Sequence, residues 1–277
     1  MASGADVAVT SAHKLLSSLS QGAVLNARGL RLDLGRLAAT VRMGQTTSPL
    51  VPILASLDAC RRQMVLEGEW MLERALELGA YARLRLEAIP GVAVRDAERL
   101  GLSSDRFDAT RLVIDVQGLG TTGFAVERAL RDRFGVAVEM SDLIGLVCLV
   151  TIGDSRARVD RLVTALASFA AEQEVPGVIS MVTPRSAGAV TAPGEQVFSP
   201  REAFFARTRA VPLAAAAGEV AAELVVPYPP GIPVLVPGER ISRTKIGYLT
   251  EVVRGGVSVR GPADPRLVTV RVVDSGW

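Results

Sequence analysis

Residues 5–25 read ADVAVTSAHKLLSSLSQGAVL. ADVAVT (5–10) alternates small, β-branched and polar residues and is expected as a strand. It ends at the tetrapeptide Ser11-Ala12-His13-Lys14, and Gly22–Leu25 is expected as the next strand. A lysine placed just past a strand end matters here because lysine is rare in this chain. Of 31 basic residues only Lys14 and Lys245 are lysine, leaving 29 arginines, and the single histidine, His13, precedes Lys14 directly. A lysine amine can act as a nucleophile toward an aldehyde, which an arginine guanidinium cannot.

Outward from that segment the pattern is α/β. Ser48 is expected to cap a helix with Pro49 at its first position, where the missing N–H costs nothing. Leu50, Ile53, Leu54, Leu57 and Met64 then recur at helical spacing. A second helical stretch is expected from Trp70 to about Ile89, ended by Pro90-Gly91. RLVIDV (111–116) is a strand, Phe124–Phe134 a helix with Val126, Ala129, Leu130 and Phe134 on one side, and GVAVEM (135–140) and LVCLVTIG (146–153) two further strands. Arg158–Ala171 is a helix with Leu162, Ala165, Leu166 and Phe169 on one face. This is a βαββα unit. TPRSAGAVTAPGEQVFSP (183–200) reads as a linker, followed by a short Ala-rich helix near Pro212–Glu223 and β-like segments to Trp277.

Composition narrows the function classes. A formal charge of +2 with no like-charged run gives no support to nucleic-acid or membrane-surface binding through bulk electrostatics. The N-terminus does not read as a signal peptide, and the longest apolar run, around Leu143–Val150, is far short of a membrane span. Cys60 and Cys148 lie in apolar sequence and are expected as buried, reduced thiols. The expectation is a soluble, cytoplasmic protein with no metal site.

Five blocks in order resemble the ornithine/lysine/arginine decarboxylases. They are SAHKLLSSLSQGAVLN (11–26), TTSPLVPILASLDACRR (46–62), RLVIDVQGLGTTGFAVERALRDRFGVAVEMSDL (111–143), FSPREAFFA (198–206) and VPYPPGIPVLVPGERI (226–241). The resemblance implies a fold-type-I pyridoxal-phosphate enzyme. Residues 1–80 would be the end of its cofactor-binding large domain, 81–175 a small βαββα domain, and 176–277 an α+β carboxy-terminal domain. It implies that Lys14 carries pyridoxal 5'-phosphate covalently and that Ser11 and His13 contact the cofactor phosphate. Thr46 or Thr47 is implied to reach that phosphate across a subunit interface, with helix capping beside Ser48 the equal alternative. The implied substrate is a basic amino acid, ornithine, lysine or arginine, converted to its amine by a homodimer or higher oligomer.

The same resemblance assigns the phosphate cradle, the aspartate that protonates the cofactor ring and a ring-stacking histidine to sequence upstream of the lysine. The expectation is therefore a carboxy-terminal half, inactive alone and completed by a separate N-terminal half or an upstream start. The alternative is a non-catalytic interaction or dimerisation subunit. Asp6 does not match the ring-binding acid. Lys245, Tyr228 and Tyr248 are expected in solvated or packing roles, and Glu139, Asp142 and Glu219 as open candidates for a substrate pocket or as solvated and capping residues.

One motif suggests a different chemistry. Gly118-Leu119-Gly120-Thr121-Thr122-Gly123 follows a strand and opens a helix, with Glu139 21 residues after Gly118, the spacing of a dinucleotide fingerprint. Only six residues separate Glu139 from Leu146, too few for a parallel crossover. The third strand is expected antiparallel, in a split layer that binds no nucleotide.

Overall fold

The computed structural model describes residues 4–29, 31–173, 193–228 and 231–274. It divides into two compact units, one of residues 1–86, 96–112 and 149–164, the other of 87–95, 113–148 and 165–277.

In the first unit β1 (Val7–Ser11) pairs antiparallel with β2 (Ala23–Ala27), in the register Val7↔Ala27 to Ser11↔Ala23. Between them lies the single turn α1 (Ala12–Leu15). α2 (Leu34–Gly44), unforeseen in the sequence, is capped by Asp33, whose carboxylate accepts the Arg36 N–H at 3.0 Å. The two helices expected over 48–89 are one, α3 (Val51–Glu87). No proline or glycine cap interrupts the segment; of its two glycines, both buried, Gly79 faces the Ala109 carbonyl, where a β-carbon would lie 2.9 Å away, and Gly68 faces the end of the Met64 side chain. The helix starts after Leu50, whose carbonyl accepts the first N–H groups, so Pro52 and not Pro49 sits in its first turn.

The buried face of α3 is Cys60, Gly68, Ala75, Gly79, Ala82 and Leu86, a stripe of mostly small residues at helical spacing. Of the expected apolar face, Leu50 and Leu54 are exposed, as are Val51, Val65, Leu66 and Trp70. Val9 of β1 is 71% exposed and no residue of β1 or β2 is buried. A two-stranded sheet is marginal on its own, so this unit presents an uncovered apolar surface.

Most of a four-stranded sheet belongs to the second unit, in the order β3-β4-β6-β5, made of β3 (Ala93–Arg95), β4 (Arg111–Asp115), β6 (Gly145–Leu149) and β5 (Met140–Ser141). β3 pairs antiparallel with β4, and Arg95 bridges to Asp115 at 2.6 Å. β5 pairs antiparallel with β6, Met140 opposite Val147, as the short connection required. The expected strand 135–140 shrinks to its last residue because Gly135, at φ +61°, caps the preceding helix and 136–139 form an irregular crossing. That helix, α4 (Gly123–Phe134), is N-capped by Thr122 and buries Val126 and Leu130. α5 (Arg156–Ala171) buries Leu162, Ala165, Leu166 and Phe169, the face expected for it.

The linker expected over 183–200 lies mostly outside the described residues. After it α6 (Pro200–Phe205) opens on a capping box between Ser199 and Glu202. The helix expected near 212–223 is absent. Residues 208–212 form β7 (Thr208–Pro212), which pairs antiparallel with β10 (Thr269–Val273), and only the single 3-10 turn Leu213–Ala215 follows. Alanine favours a helix weakly, and tertiary pairing overrides it here. β8 (Val226–Tyr228) pairs with β9 (Ser258–Arg260), and α7 (Arg243–Arg254), a helix not read from the sequence, is capped by Ser242. Val211, Val225, Leu235, Ile241, Leu249 and Val272 are among the core residues these elements enclose.

One ion pair sits in that core. Lys245, expected to be solvated or packing, is 4% exposed and its Nζ lies 2.7 Å from Glu239, itself 6% exposed. Ser242 caps the helix three residues before Lys245, which turns the lysine onto the buried face shared with Leu249 and Val252. Both cysteines are buried and free. Burial pushes the Cys148 thiol up from its ordinary value of 9.0 to about 12.

Lys245→Met should lower unfolding stability by about 3–5 kcal/mol, because it strands the Glu239 charge, while adding Glu239→Leu should recover most of the loss. Chemical denaturation of the two variants reads this directly. The raised Cys148 value means that the unfolded thiol ionises near pH 9.0 while the folded one resists until about 12. Stability from this group is therefore complete below pH 9.0 and falls above it, by up to about 1.4 kcal/mol per pH unit. Cys148→Ala should flatten that alkaline limb in denaturation curves taken across it.

Candidate functional site

The sequence-marked residues Ser11, His13 and Lys14 stand where β1 ends and α1 makes its one turn. Ala12 is buried at 3% exposure and anchors the turn, and the Leu16 N–H closes it on the Ala12 carbonyl at 2.9 Å. Ser11 occupies the N-cap position with extended backbone, yet its hydroxyl makes no capping hydrogen bond. Lys14 is exposed and His13 half-buried. The His13 ring donates from Nδ1 to the Gly22 carbonyl at 3.0 Å, since a carbonyl oxygen can only accept.

Helix α3 braces this segment. The Ser17 hydroxyl donates to Gln63 Oε1 at 2.5 Å, and the Leu19 N–H donates to Ser56 Oγ at 3.0 Å. Ser56 and Gln63 lie seven residues apart, two helical turns, so both fall on one face of α3.

Thr46 and Thr47 are exposed on the connection between α2 and α3. Thr46 Oγ1 accepts the Ser48 N–H at 3.1 Å, which is a local turn and not a helix cap. Among the described residues the hydrogen bonds given for His13 and Thr46 do not join the threonines to the lysine segment. Asp6 sits beyond the opposite end of β1, about 16 Å from Ser11 at strand rise, and its carboxylate is held in an ion pair by Arg31.

The other sequence candidates have structural employment. Asp142 accepts the N–H groups of Ile144 and Gly145, each at 2.7 Å, and Glu219 pairs with Arg209 at 2.8 Å. Glu139 is exposed and lines an open cavity of about 370 Å³ with Arg128, Arg131 and Tyr228. The Arg260 guanidinium lies 3.9 Å from the Tyr228 ring centroid. Burial, with the Asp142 charge second, holds the Tyr248 hydroxyl above the ordinary tyrosine range.

The glycines of the 118–123 motif are required by the protein's own backbone. A β-carbon on Gly118 would lie 2.6 Å from the Gly91 carbonyl, and one on Gly123 would collide with the Gly145 carbonyl. Gly120 has φ +68° and ends the 3-10 turn Gln117–Leu119. In the sheet β6 lies between β4 and β5, an order unlike the adjacent parallel strands of a dinucleotide fold. Spacing alone could not separate these uses of glycine.

Known proteins share this chain's sequence pattern and fold. The family described as Orn/Lys/Arg decarboxylase, major domain, matches residues 2–102, and its C-terminal domain matches residues 179–259. The chain is 39% identical over 276 residues to the arginine decarboxylase of Bacillus subtilis, covering 99% of this chain and 55% of that protein. It is 38% identical over the same length to the arginine decarboxylase of Halalkalibacterium halodurans. Among solved structures, the lysine decarboxylase of Francisella novicida superposes with a TM-score of 0.76 at 22% identity, over 96% of this chain and 48% of that one. The constitutive lysine decarboxylase of Escherichia coli gives 0.75 at 19%, over 97% and 49%. The chain thus spans about half the length of the curated relatives it matches. With both domain descriptions matched in order and the lysine segment inside the first, the chain belongs to the Orn/Lys/Arg decarboxylase family.

Proposed function

We propose that this chain supplies the lysine-bearing part of a pyridoxal-phosphate-dependent enzyme that decarboxylates a basic amino acid. The observation that carries the reading is Lys14, exposed on a single braced turn at the end of β1, directly after a serine hydroxyl and an imidazole in the chain. That donor set fits the aldehyde and phosphate end of pyridoxal phosphate. When bound, that cofactor supplies the electron-withdrawing ring that lets an α-carboxylate leave as carbon dioxide.

The roles of the chain's own residues follow from their chemistry. Lys14 brings a primary amine that an aldehyde can reach and that can also carry a proton to and from a substrate carbon beside it. Ser11 offers a hydroxyl not used for capping, and His13 offers its second ring nitrogen, both toward a phosphate. Thr46 or Thr47 is assigned to the phosphate of a neighbouring subunit in a dimer or larger assembly.

The acid that would hold the ring nitrogen protonated is not provided by Asp6, which is committed to Arg31 at the far end of the strand. We therefore propose that the 277-residue polypeptide is inactive alone and acts with further protein that brings the acid and the phosphate cradle. The uncovered surface around Val9, Leu50, Leu54 and Val65 supports such a covering partner. The same surface favours a second reading, in which the chain is an interaction subunit without chemistry of its own.

Pyridoxal phosphate added to the purified chain, followed by borohydride reduction and mass spectrometry, separates the two readings. The enzyme reading expects covalent label on Lys14, abolished by Lys14→Ala, with no carbon dioxide released from arginine, ornithine or lysine. Coexpression with an upstream segment of a matched decarboxylase should restore release, and Lys14→Ala should then lower it on the order of a thousandfold or more. Carbon dioxide release by the isolated chain would refute the inactivity, and absence of label would favour the interaction subunit.

A further inference from the structure

Directly after the lysine segment the chain makes a four-residue turn, Leu19–Gly22, closed by the Gly22 N–H on the Leu19 carbonyl at 3.0 Å. Gln21 takes its third position at φ +75°, a conformation suited to glycine or asparagine. Among the described residues only Gln21 and Leu267 hold a positive φ without being glycine. Gly22 is equally constrained. A β-carbon there would lie 2.8 Å from Ser18 Oγ, 2.9 Å from the Leu19 carbonyl and 3.2 Å from Leu57 Cδ2. Gly22 also precedes β2, so its carbonyl lies outside the Ser11↔Ala23 end of the ladder. What that carbonyl does make is the 3.0 Å contact with His13 Nδ1. Strain kept at one residue to deliver one contact points to a functional demand on that contact.

We infer that the Leu19–Gly22 turn is a positioning device for His13: the Gly22 carbonyl fixes the ring in its Nδ1–H form and leaves Nε2 as the nitrogen that meets an anion. The inference rests on the preceding reading only for the anion being the cofactor phosphate. Its first half follows from hydrogen-bond chemistry. The carbonyl offers lone pairs alone, so Nδ1 carries a proton, and in the neutral ring Nε2 is then bare. A phosphate oxygen is also an acceptor, so contact at Nε2 is made by the doubly protonated ring, with the second proton taken from solvent. A ring flip that offered Nδ1 instead would forfeit the Gly22 contact. Gly22 acts through His13 and is a positioning residue.

His13 is the sole histidine, so a chain labelled with 15N-histidine shows a single ring. Its two nitrogen signals, read through their couplings to the carbon-bound ring protons, report the tautomer. The intact chain is expected to hold the Nδ1–H form as the majority. Gln21→Gly keeps the turn and should leave that form in place. Gln21→Val, excluded from φ +75° by its branched side chain, and Gly22→Ala should make the Nε2–H form the majority. Pyridoxal phosphate, or inorganic phosphate as the smaller probe, should protonate Nε2 and leave Nδ1 bonded. An Nε2–H majority in the intact chain overturns the inference with no variant needed. So does an unchanged tautomer in Gln21→Val and Gly22→Ala when their circular dichroism matches the parent. A ring that responds at neither nitrogen to either anion overturns the anion-facing half. Covalent label at Lys14, measured separately, then tells whether the cofactor reading has failed with it.

Discussion

Two hydrogen bonds to helix α3, from Ser17 to Gln63 and from the Leu19 N–H to Ser56, decide where Lys14 stands. Neither element that carries the lysine could hold itself. A single helical turn bears the full nucleation cost with almost no propagation to offset it, and a two-stranded sheet with no buried residue has little to keep it paired. The long helix supplies what they lack, a rigid rod with two polar anchors on one face. The Leu19–Gly22 turn hangs from the same anchor and carries the carbonyl that holds His13. The candidate residues are therefore arranged by a chain of local contacts that begins on α3.

The second unit is built on a different constraint, the approach of backbone to backbone. Gly118 lies against Gly91 and Gly123 against Gly145, and each pair leaves no room for a β-carbon. That closeness lets α4 seat on the sheet and gives Val126 and Leu130 their burial. Farther along, the Lys245–Glu239 pair puts two charges into an otherwise aliphatic core. Such a pair adds little net stability over apolar residues, but neither charge can be left without the other. One of the chain's two lysines is thus spent on structure and the other is exposed at the candidate site.

The exposed apolar residues of the first unit and the engagement of Asp6 by Arg31 bear on the same proposal. Val9, Leu50, Val51 and Val65 lack cover, and the carboxylate nearest in sequence, Asp6, is engaged by Arg31. On the proposed function, one additional protein mass would both cover that surface and complete the site. This is why family membership, which rests on matched sequence and fold, is separable from activity, which rests on groups gathered around the lysine.

Much was legible in the sequence because it rests on local chemistry. The strand before Ser11, the helices Gly123–Phe134 and Arg156–Ala171 and the antiparallel return to Leu146 follow from period, caps and connection length. The lysine segment stood out because lysine is scarce and its neighbours are polar in a fixed order. Other features escaped because they depend on residues far apart in the chain. Val51–Glu87 runs as one helix since nothing within it stops the pattern. The helices at Leu34–Gly44 and Arg243–Arg254 are a different case, because each has a capping side chain and a marked apolar periodicity that are local and legible. Residues 212–223 favour a helix intrinsically, and pairing of Thr208–Pro212 with Thr269–Val273 overrides that preference. The sequence by itself determined the family and those elements whose period, caps and connection lengths are local. Only the tertiary structure decided that Lys245 is buried on Glu239, that the motif glycines serve backbone packing, and that a strained turn aims a carbonyl at His13. Burial, close approach and tautomer are set by atoms brought together from distant positions, which spacing along a chain does not encode.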